Sequence, residues 1–349
     1  MLDMKIKSIF IIAFIMLVSQ PVFAIKVSGL YQTTVPVSDE SAPVRNKALK
    51  QALTQVLIKL TGDRNINSSS NVEPLLEKSE RFVQQFRYRQ VTTEGESTLE
   101  LQVNFDETAL NEALRSYGIT IWSNERPAIL VWMAYEGTEG RQMVSFEAHP
   151  EYLEMLDKRA SARGLSLLFP LLDLEDTARI SVSDVWGGFK EPILGASQRY
   201  DADVILTGKL TQIMPALWEA QWTAYIDDQV QNWSSQGQIA DMALEEGIDE
   251  LADRLASRYA SVGSTQAEVI EIEVVDINNV DEYARTLSYL EGLQSVSSVQ
   301  VKHVYPDKVI FELISLGGQA VIDQAIGLGN VLEPVISTKE GPSYRLLPR

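Results

Sequence analysis

Two histidines, His149 and His303, are the imidazoles of the 349-residue chain, and cysteine is absent. Disulfides, thiolate zinc sites and cysteine nucleophiles are therefore excluded together. His149 precedes Pro150 at a helix entrance, and His303 stands on a strand edge beside a turn, so each reads as a surface or partly packed ring. Neither lies in a nucleophile motif: Gly-x-Ser-x-Gly, Ser-x-x-Lys with its partner motifs and His-Glu-x-x-His are missing. A Gly-rich phosphate loop and a dinucleotide fingerprint are missing too. The sequence assigns no catalytic residue, no metal ligand and no cofactor. The acidic run Asp173, Glu175, Asp176 and Asp184 lacks the oxygen spacing and central glycine of a calcium loop, and reads as solvated. With 48 acidic residues, a pair of close carboxylates is the one enzymatic route left open, as in glycan hydrolysis.

The candidate binding residues are Asp184, Trp186, Gly187, Gly188, Arg199 and Tyr200. Trp186-Gly187-Gly188 falls between a strand and a helix start, where backbone N–H groups can receive a carboxylate. A tight turn with Trp186 folded inward is the structural alternative. Arg199 and Tyr200, at that helix's far end, also suit a C-terminal charge cap and a packing anchor. Trp218 and Trp222 share one strand face, as a stacking platform or as packing under a helix. Arg81, Arg87 and Arg89 cluster in an otherwise acidic chain, as a docking patch or a solvated rim.

These residues hang on three small modules, an α/β (α+β) organisation. In the first, 25–121, a strand at 27–37 leads to a helix with Val44, Ala48, Ala52, Val56 and Leu60 at helical spacing, closed by Gly62. A second helix carries Val72, Leu75, Leu76, Phe82, Val83 and Phe86. Leu99, Leu101, Val103 and Phe105 alternate with polar residues on a strand paired through a Glu94-Gly95 turn, and Asp106 caps a last helix. The order is βααββα. The second module, 126–260, has buried strands at 128–135, 165–172 and 204–211, helices at 151–163 and 189–199, strands at 217–226 and 233–239, and a closing helix at 244–259. That pattern is an α/β sandwich. A linker at 261–265 precedes the third module, 266–349, whose elements read βαββαβ, the ferredoxin-like order. The linker is the expected place of least contact.

Lys5, Lys7, the apolar run 9–18 and Val22-Phe23-Ala24 form a secretory signal peptide over 1–24, with cleavage expected after Ala24. The run is too short for a stable span, and no later stretch approaches ~20 apolar residues. The formal charge is −18 and becomes one unit more negative without residues 1–24. Such a surface repels nucleic-acid phosphates and anionic lipids.

The passage Pro170-Leu171-Leu172-Asp173, Asp184-Val185-Trp186-Gly187 and 196–208 (Ala-Ser-Gln-Arg-Tyr-Asp-Ala-Asp-Val-Ile-Leu-Thr-Gly) resembles exported proteobacterial proteins grouped as a domain of unknown function. Val27-Ser28-Gly29-Leu30-Tyr31 and the 45–62 helix fit that family as well. The 200–208 stretch is also similar to the helix-to-strand step of curli-secretion and penicillin-binding-protein-activator type domains. That likeness implies envelope proteins that act by binding other proteins. The resulting expectation is a periplasmic, non-enzymatic protein that binds or scaffolds another envelope component. A carboxylate-based glycan hydrolase and a small-ligand sensor built on the third module are the alternatives.

Overall fold

The computed structural model describes residues 29–93, 96–122, 124, 126–226, 229–259, 267–293, 295–316, 318–329, 331–335 and 341–348. The expected signal peptide, the Glu94-Gly95 turn and the 261–265 linker lie outside the described residues. Helix α1 (Ala42–Thr61) starts on Pro43, whose fixed φ suits a first turn, and ends at Gly62 with φ 74°. A Cβ at Gly62 would overlap Ala256, so only glycine permits both the left-handed turn and the close approach. Leu49, Leu53, Val56, Leu57 and Leu60 are buried against one face of a three-stranded antiparallel sheet. Its strands are β1 (Gln32–Val37), β2 (Val83–Thr93) and β3 (Glu96–Phe105), in the order β1-β3-β2. Each fully buried Leu or Val there contributes about 1.5–3 kcal/mol. The second expected helix is cut short. Helix α2 covers Glu73–Glu77, a 3-10 turn follows at Ser79–Phe82, and Val83 already opens β2. Phe86 and Tyr88 alternate toward the helix, pairing with Val103 and Leu101, so period-two packing wins over the helical stripe. Helix α3 (Glu107–Ser116) is capped by Asp106, which accepts from Ala109 N.

The central sheet holds β4 (Ile129–Gly137), β5 (Gly140–Met143), β6 (Leu167–Leu168), β7 (Val204–Met214), β8 (Leu217–Ile226) and β9 (Gln229–Gly237). Its order is β5-β4-β7-β8-β9, with β6 paired parallel to β4. Helices α4 (Pro150–Ala162) and α8 (Ala240–Tyr259) cover one face. The short helices α5 (Leu174–Arg179), α6 (Val182–Gly187) and α7 (Lys190–Ser197) cover β4 and β7 on the other. Two expectations change here. The strand expected at 165–172 shrinks to the two residues of β6. The acidic stretch 173–184 is not a loop: Asp173 caps α5 and Ser181 caps α6, giving each short helix its own start.

The third sheet runs β11-β12-β10-β14-β13, from β10 (Ala267–Val275), β11 (Val296–Val304), β12 (Lys308–Leu316), β13 (Leu332–Val335) and β14 (Ser343–Leu346). Helices α9 (Val280–Glu291) and α10 (Gly318–Gly327) complete the βαββαβ order. One strand more follows it. β14 inserts between β10 and β13, parallel to the former and antiparallel to the latter. Tyr344 drives this, because it is buried in the core and its hydroxyl donates to Asp323.

The first two sheets are locked together at the end of α1. Arg126, 4 % exposed, stacks on Trp122 and donates to the Gly164 and Lys59 carbonyls. Arg163, 3 % exposed along its side chain, donates to the Gly62 carbonyl, Asp249 and Asp253. Asp249 also receives Arg159, and Arg64 beyond α1 meets Asp253 at 2.7 Å and Glu246 at 3.1 Å. Burial works to raise the Asp249 carboxyl, but the Arg159 and Arg163 bonds outweigh it and hold it below its ordinary value. Asp249→Ala strands Arg163 and Arg159 beside a void, and should cost about 3–5 kcal/mol in urea unfolding. The carboxyl's folded pKa is the lower one, so its contribution is complete above pH ~4 and fades as pH falls through the folded value. In acid the variant and the wild type should therefore converge; a constant gap down to the acid transition would rule the ion network out as the cause.

Candidate functional site

The residues singled out in the sequence occupy two opposite ends of the central sheet. Asp184 accepts from Ser181 N at 2.8 Å and from the Ser181 hydroxyl at 2.6 Å, completing the capping box of α6. Trp186 lies half-buried in the last turn, with the Arg141 guanidinium 4.3 Å from its ring and its carbonyl bonded to Lys209 Nζ. Gly187 ends the helix and Gly188 is its left-handed cap, its N–H donating to the Asp184 and Val185 carbonyls. Phe189 N–H donates to the Asp184 carbonyl as well. The expected strand-to-helix turn with free amides is thus a helix C-terminus with its amides engaged.

Arg199 and Tyr200 precede β7 and sit at the amino ends of the strands. Arg199 binds Asp173 through both terminal nitrogens, at 2.8 and 3.0 Å, and Asp176 at 3.1 Å. Asp176 is fully buried, and accepts from Leu172 N and from the Tyr200 hydroxyl at 2.5 Å. The Arg199 hydrogen bonds hold the Asp173 carboxyl down at about 2, while burial and Asp176 push Tyr200 up to about 12. These groups clamp the turn in which Leu172 adopts φ 51°. Their chemistry is structural.

The other end collects side chains that were separate in the sequence. Tyr135 closes β4 and pairs with Leu210 near the end of β7. His149 adopts φ 65° before Pro150, a residue that disfavours right-handed helix in its predecessor, and so starts α4 against the strand end. Its ring lies 4.8 Å from Tyr135 and stacks on Tyr152 at 5.5 Å. Trp218, opposite Gln212 where β8 begins, stacks on Tyr135 at 6.2 Å. A Cβ at Gly137 would stand 2.7 Å from the Tyr135 ring, so glycine lets that ring fold back along its own strand. Burial, then the neighbouring Tyr135, Glu151 and Asp241, push Tyr152 up to about 12.

At the same end of the sheet as these four half-buried rings stand Ile213, Met214, Ile239 and Met242, each roughly half exposed, at 49, 55, 51 and 51 %. They share one end of the sheet, because Trp218 pairs with Gly237, whose missing Cβ would meet Met242. Exposed Glu151 and Asp241 border them. Trp222, by contrast, is core: its indole N–H donates to Ser235 and its ring stacks on Trp233. Tyr135 and Tyr152 were missed because neither has a motif. The visible signal was an aromatic three residues beyond His149, on the first turn of a helix. Arg87 and Arg89 share the polar outer face of the first sheet, the former donating to the Gln102 side-chain oxygen and the latter ion-paired with Glu100.

Two cavities lie elsewhere. One of about 460 Å3 is lined by Gln32, Gln84, Asn104 and Asn124. The other, about 430 Å3, lies at the start of α9, where Asn279 caps Glu282 N and Arg345 bridges Asp276 and Glu333. Among the described residues no group of three or more His, Asp or Glu is arranged to hold a metal ion, and no helix is long and apolar enough to cross a membrane.

Residues 24–123 match the sequence profile of a family described as a domain of unknown function, DUF8605. No curated protein matches the chain. Among solved structures it is similar to the LpoB C-terminal domain from Salmonella enterica, at 16 % identity and a TM-score of 0.22, over 32 % of this chain and 82 % of that one. At that score the likeness carries no functional argument.

Tyr200→Phe removes the donor to Asp176 and the acceptor of Leu171 N, 2.9 Å away. It should cost about 1–3 kcal/mol in thermal or urea unfolding. A loss under 0.5 kcal/mol would mean that the clamp is dispensable.

Proposed function

We propose that this is an exported periplasmic protein, without enzymatic activity, that binds another envelope protein through the aromatic and methionine surface at the carboxyl end of its central sheet. The observation that carries the reading is that half-exposed Ile213, Met214, Ile239 and Met242 stand at the same end of the sheet as the ring cluster of Tyr135, His149, Tyr152 and Trp218. Tyrosine, tryptophan and methionine are the residues enriched where proteins bury surface against one another. Methionine adds an adaptable, polarisable contact. Half-exposed apolar side chains at the carboxyl ends of parallel strands also stand where α/β sheets receive their ligands.

The border of Glu151 and Asp241 indicates the partner's chemistry. An apolar projection flanked by lysine or arginine would bury its tip among the rings and meet the acids at the edge, with a cation–π contribution from Tyr135 or Trp218. Export rests on the sequence features of residues 1–24, and the cysteine-free composition is compatible with it.

A photo-crosslinking residue placed at Met242 in living cells should give a discrete adduct with one envelope protein. Combining Met214→Asp with the same crosslinker at Met242 should reduce that adduct about tenfold. Because Met214 is surface-exposed, stability should stay within about 0.5 kcal/mol of wild type. An adduct indifferent to Met214→Asp would move the interface elsewhere. Release of products from glycan or peptidoglycan fragments by the purified protein, lost on removing a single carboxylate, would overturn the non-enzymatic reading. In a periplasmic extract the intact mass should begin at Ile25.

A further inference from the structure

Strand edges expose unpaired N–H and C=O groups, and proteins blunt them with proline, charge, bulges or shortness. Among the described residues, every sheet edge but one carries such a device. β1 contains Pro36 and β13 contains Pro334. β5 has four residues and β6, beside it on β4, has two. β2 carries Arg87 and Arg89 and a register shift between Val83 and Gln85. β11 carries Lys302 and two register shifts. The remaining edge, β9, has none of these. Its nine residues pair with β8 in unbroken register, and its sequence Gln-Val-Gln-Asn-Trp-Ser-Ser-Gln-Gly holds neither charge nor proline. Uncharged sequence continues to Ala240, in a chain of formal charge −18.

We propose that β9 is the seam of a twofold homodimer, in which two copies pair antiparallel through this strand into one continuous sheet. Only two residues separate Ile226 from Gln229, the pair that ends the β8–β9 register, so that pair is a close hydrogen-bonded one. Gln231, Trp233 and Ser235 therefore turn their backbone groups toward β8. Val230, Asn232, Ser234 and Gln236 turn theirs outward. A twofold axis beside Trp233 sets Asn232 against Ser234 of the other copy, and Val230 against its Gln236. All four outward residues on each strand then find backbone partners, and amide meets hydroxyl on the exposed face. On the α8 face, Trp233 already stacks on Trp222 and meets its own copy at the axis, extending the aromatic row.

Charge selects both the partner and the direction. Elsewhere two copies of so acidic a molecule repel, whereas this seam brings no like charges together. Arg254 and Arg258 reach Gln231 and Gln229, at one end of β9. Parallel pairing would juxtapose the arginines of both copies; antiparallel pairing separates them by most of the strand length. Closure follows as well. The far edge of the same sheet is the four-residue β5, so the dimer offers no comparable edge for further addition.

Sedimentation equilibrium on the purified protein should show a dimer. Asn232→Glu combined with Ser234→Glu places carboxylates opposite one another and should raise the dissociation constant by at least about tenfold. Circular dichroism should be unchanged, because both side chains are exposed. The matching Asn232→Lys and Ser234→Lys protein should also weaken with itself, yet form a heterodimer when mixed with the glutamate protein. A monomeric wild type overturns the proposal and leaves β9 to a strand of another protein. A dimer untouched by the charge variants overturns it too, because the contact then lies elsewhere.

Discussion

Helix α1 points its last carbonyls into the neighbouring module, and two buried arginines meet them. Arg126 takes the Lys59 carbonyl and Arg163 the Gly62 carbonyl, where the helix dipole is negative. The same two side chains hold the central module: Arg126 through the Gly164 carbonyl, Arg163 through Asp249 and Asp253 on α8. Buried guanidinium groups are costly without acceptors, so the junction, where all but the Nε of the Arg163 guanidinium is bonded, tolerates little rearrangement. Gly62 against Ala256 and Trp122 N–H on the Leu60 carbonyl tighten it further. The first and second sheets consequently act as one body. The third has its own core, and Gln324 to the Tyr259 carbonyl is a polar link between it and the second.

This lock sets what the central sheet can present. Its α8 face is sealed by α4 and α8, and α8 is anchored along its α4 side by arginines from two modules. Among the described residues, the opposite face carries three short helices, which cover β4 and β7 and reach β8 at Tyr225. The amino end of the strands is closed by the Asp173, Asp176, Arg199 and Tyr200 clamp. The carboxyl end, with its aromatic cluster, and the free edge β9 remain open. Both adjoin Gly237, where β9 passes into α8, so a rigid scaffold displays the two surfaces side by side.

Legibility in the sequence followed the strength of local signals. Helix α1, with its stripe and glycine cap, and β4, a continuous apolar run, were readable because local preference and burial agree. The 173–184 stretch was not, since its acids read as solvated whereas Asp173 and Asp184 serve as helix caps and Asp176 is fully buried. β14 was hidden because Ser-Tyr-Arg-Leu has no periodicity to speak of, and its place is decided by Tyr344 finding Asp323 across the core. The site suffered most. Its histidine and Trp218 were visible one at a time, but their meeting depends on the register of β7 with β8 and on the entry angle of α4. Arg199 and Tyr200 were noticed together and belong together, though as a brace around a buried aspartate.

The arginines also bear on the field that the molecule presents to its surroundings. Arg64, Arg126, Arg159, Arg163 and Arg199 are turned into carbonyls and carboxylates at module junctions and turns. Cations so engaged add little positive potential outside, and the excess of acids dominates the field around the molecule. On the proposed reading, a basic partner would be drawn in by this field, and any partner would be held only where apolar or hydrogen-bonding surface lies bare of carboxylates. The rim of Ile213, Met214, Ile239 and Met242 is one such place and the neutral edge of β9 is another. In that reading the long-range field is nonspecific and spread over the surface, while short-range contact is confined to the few places from which charge has been withdrawn.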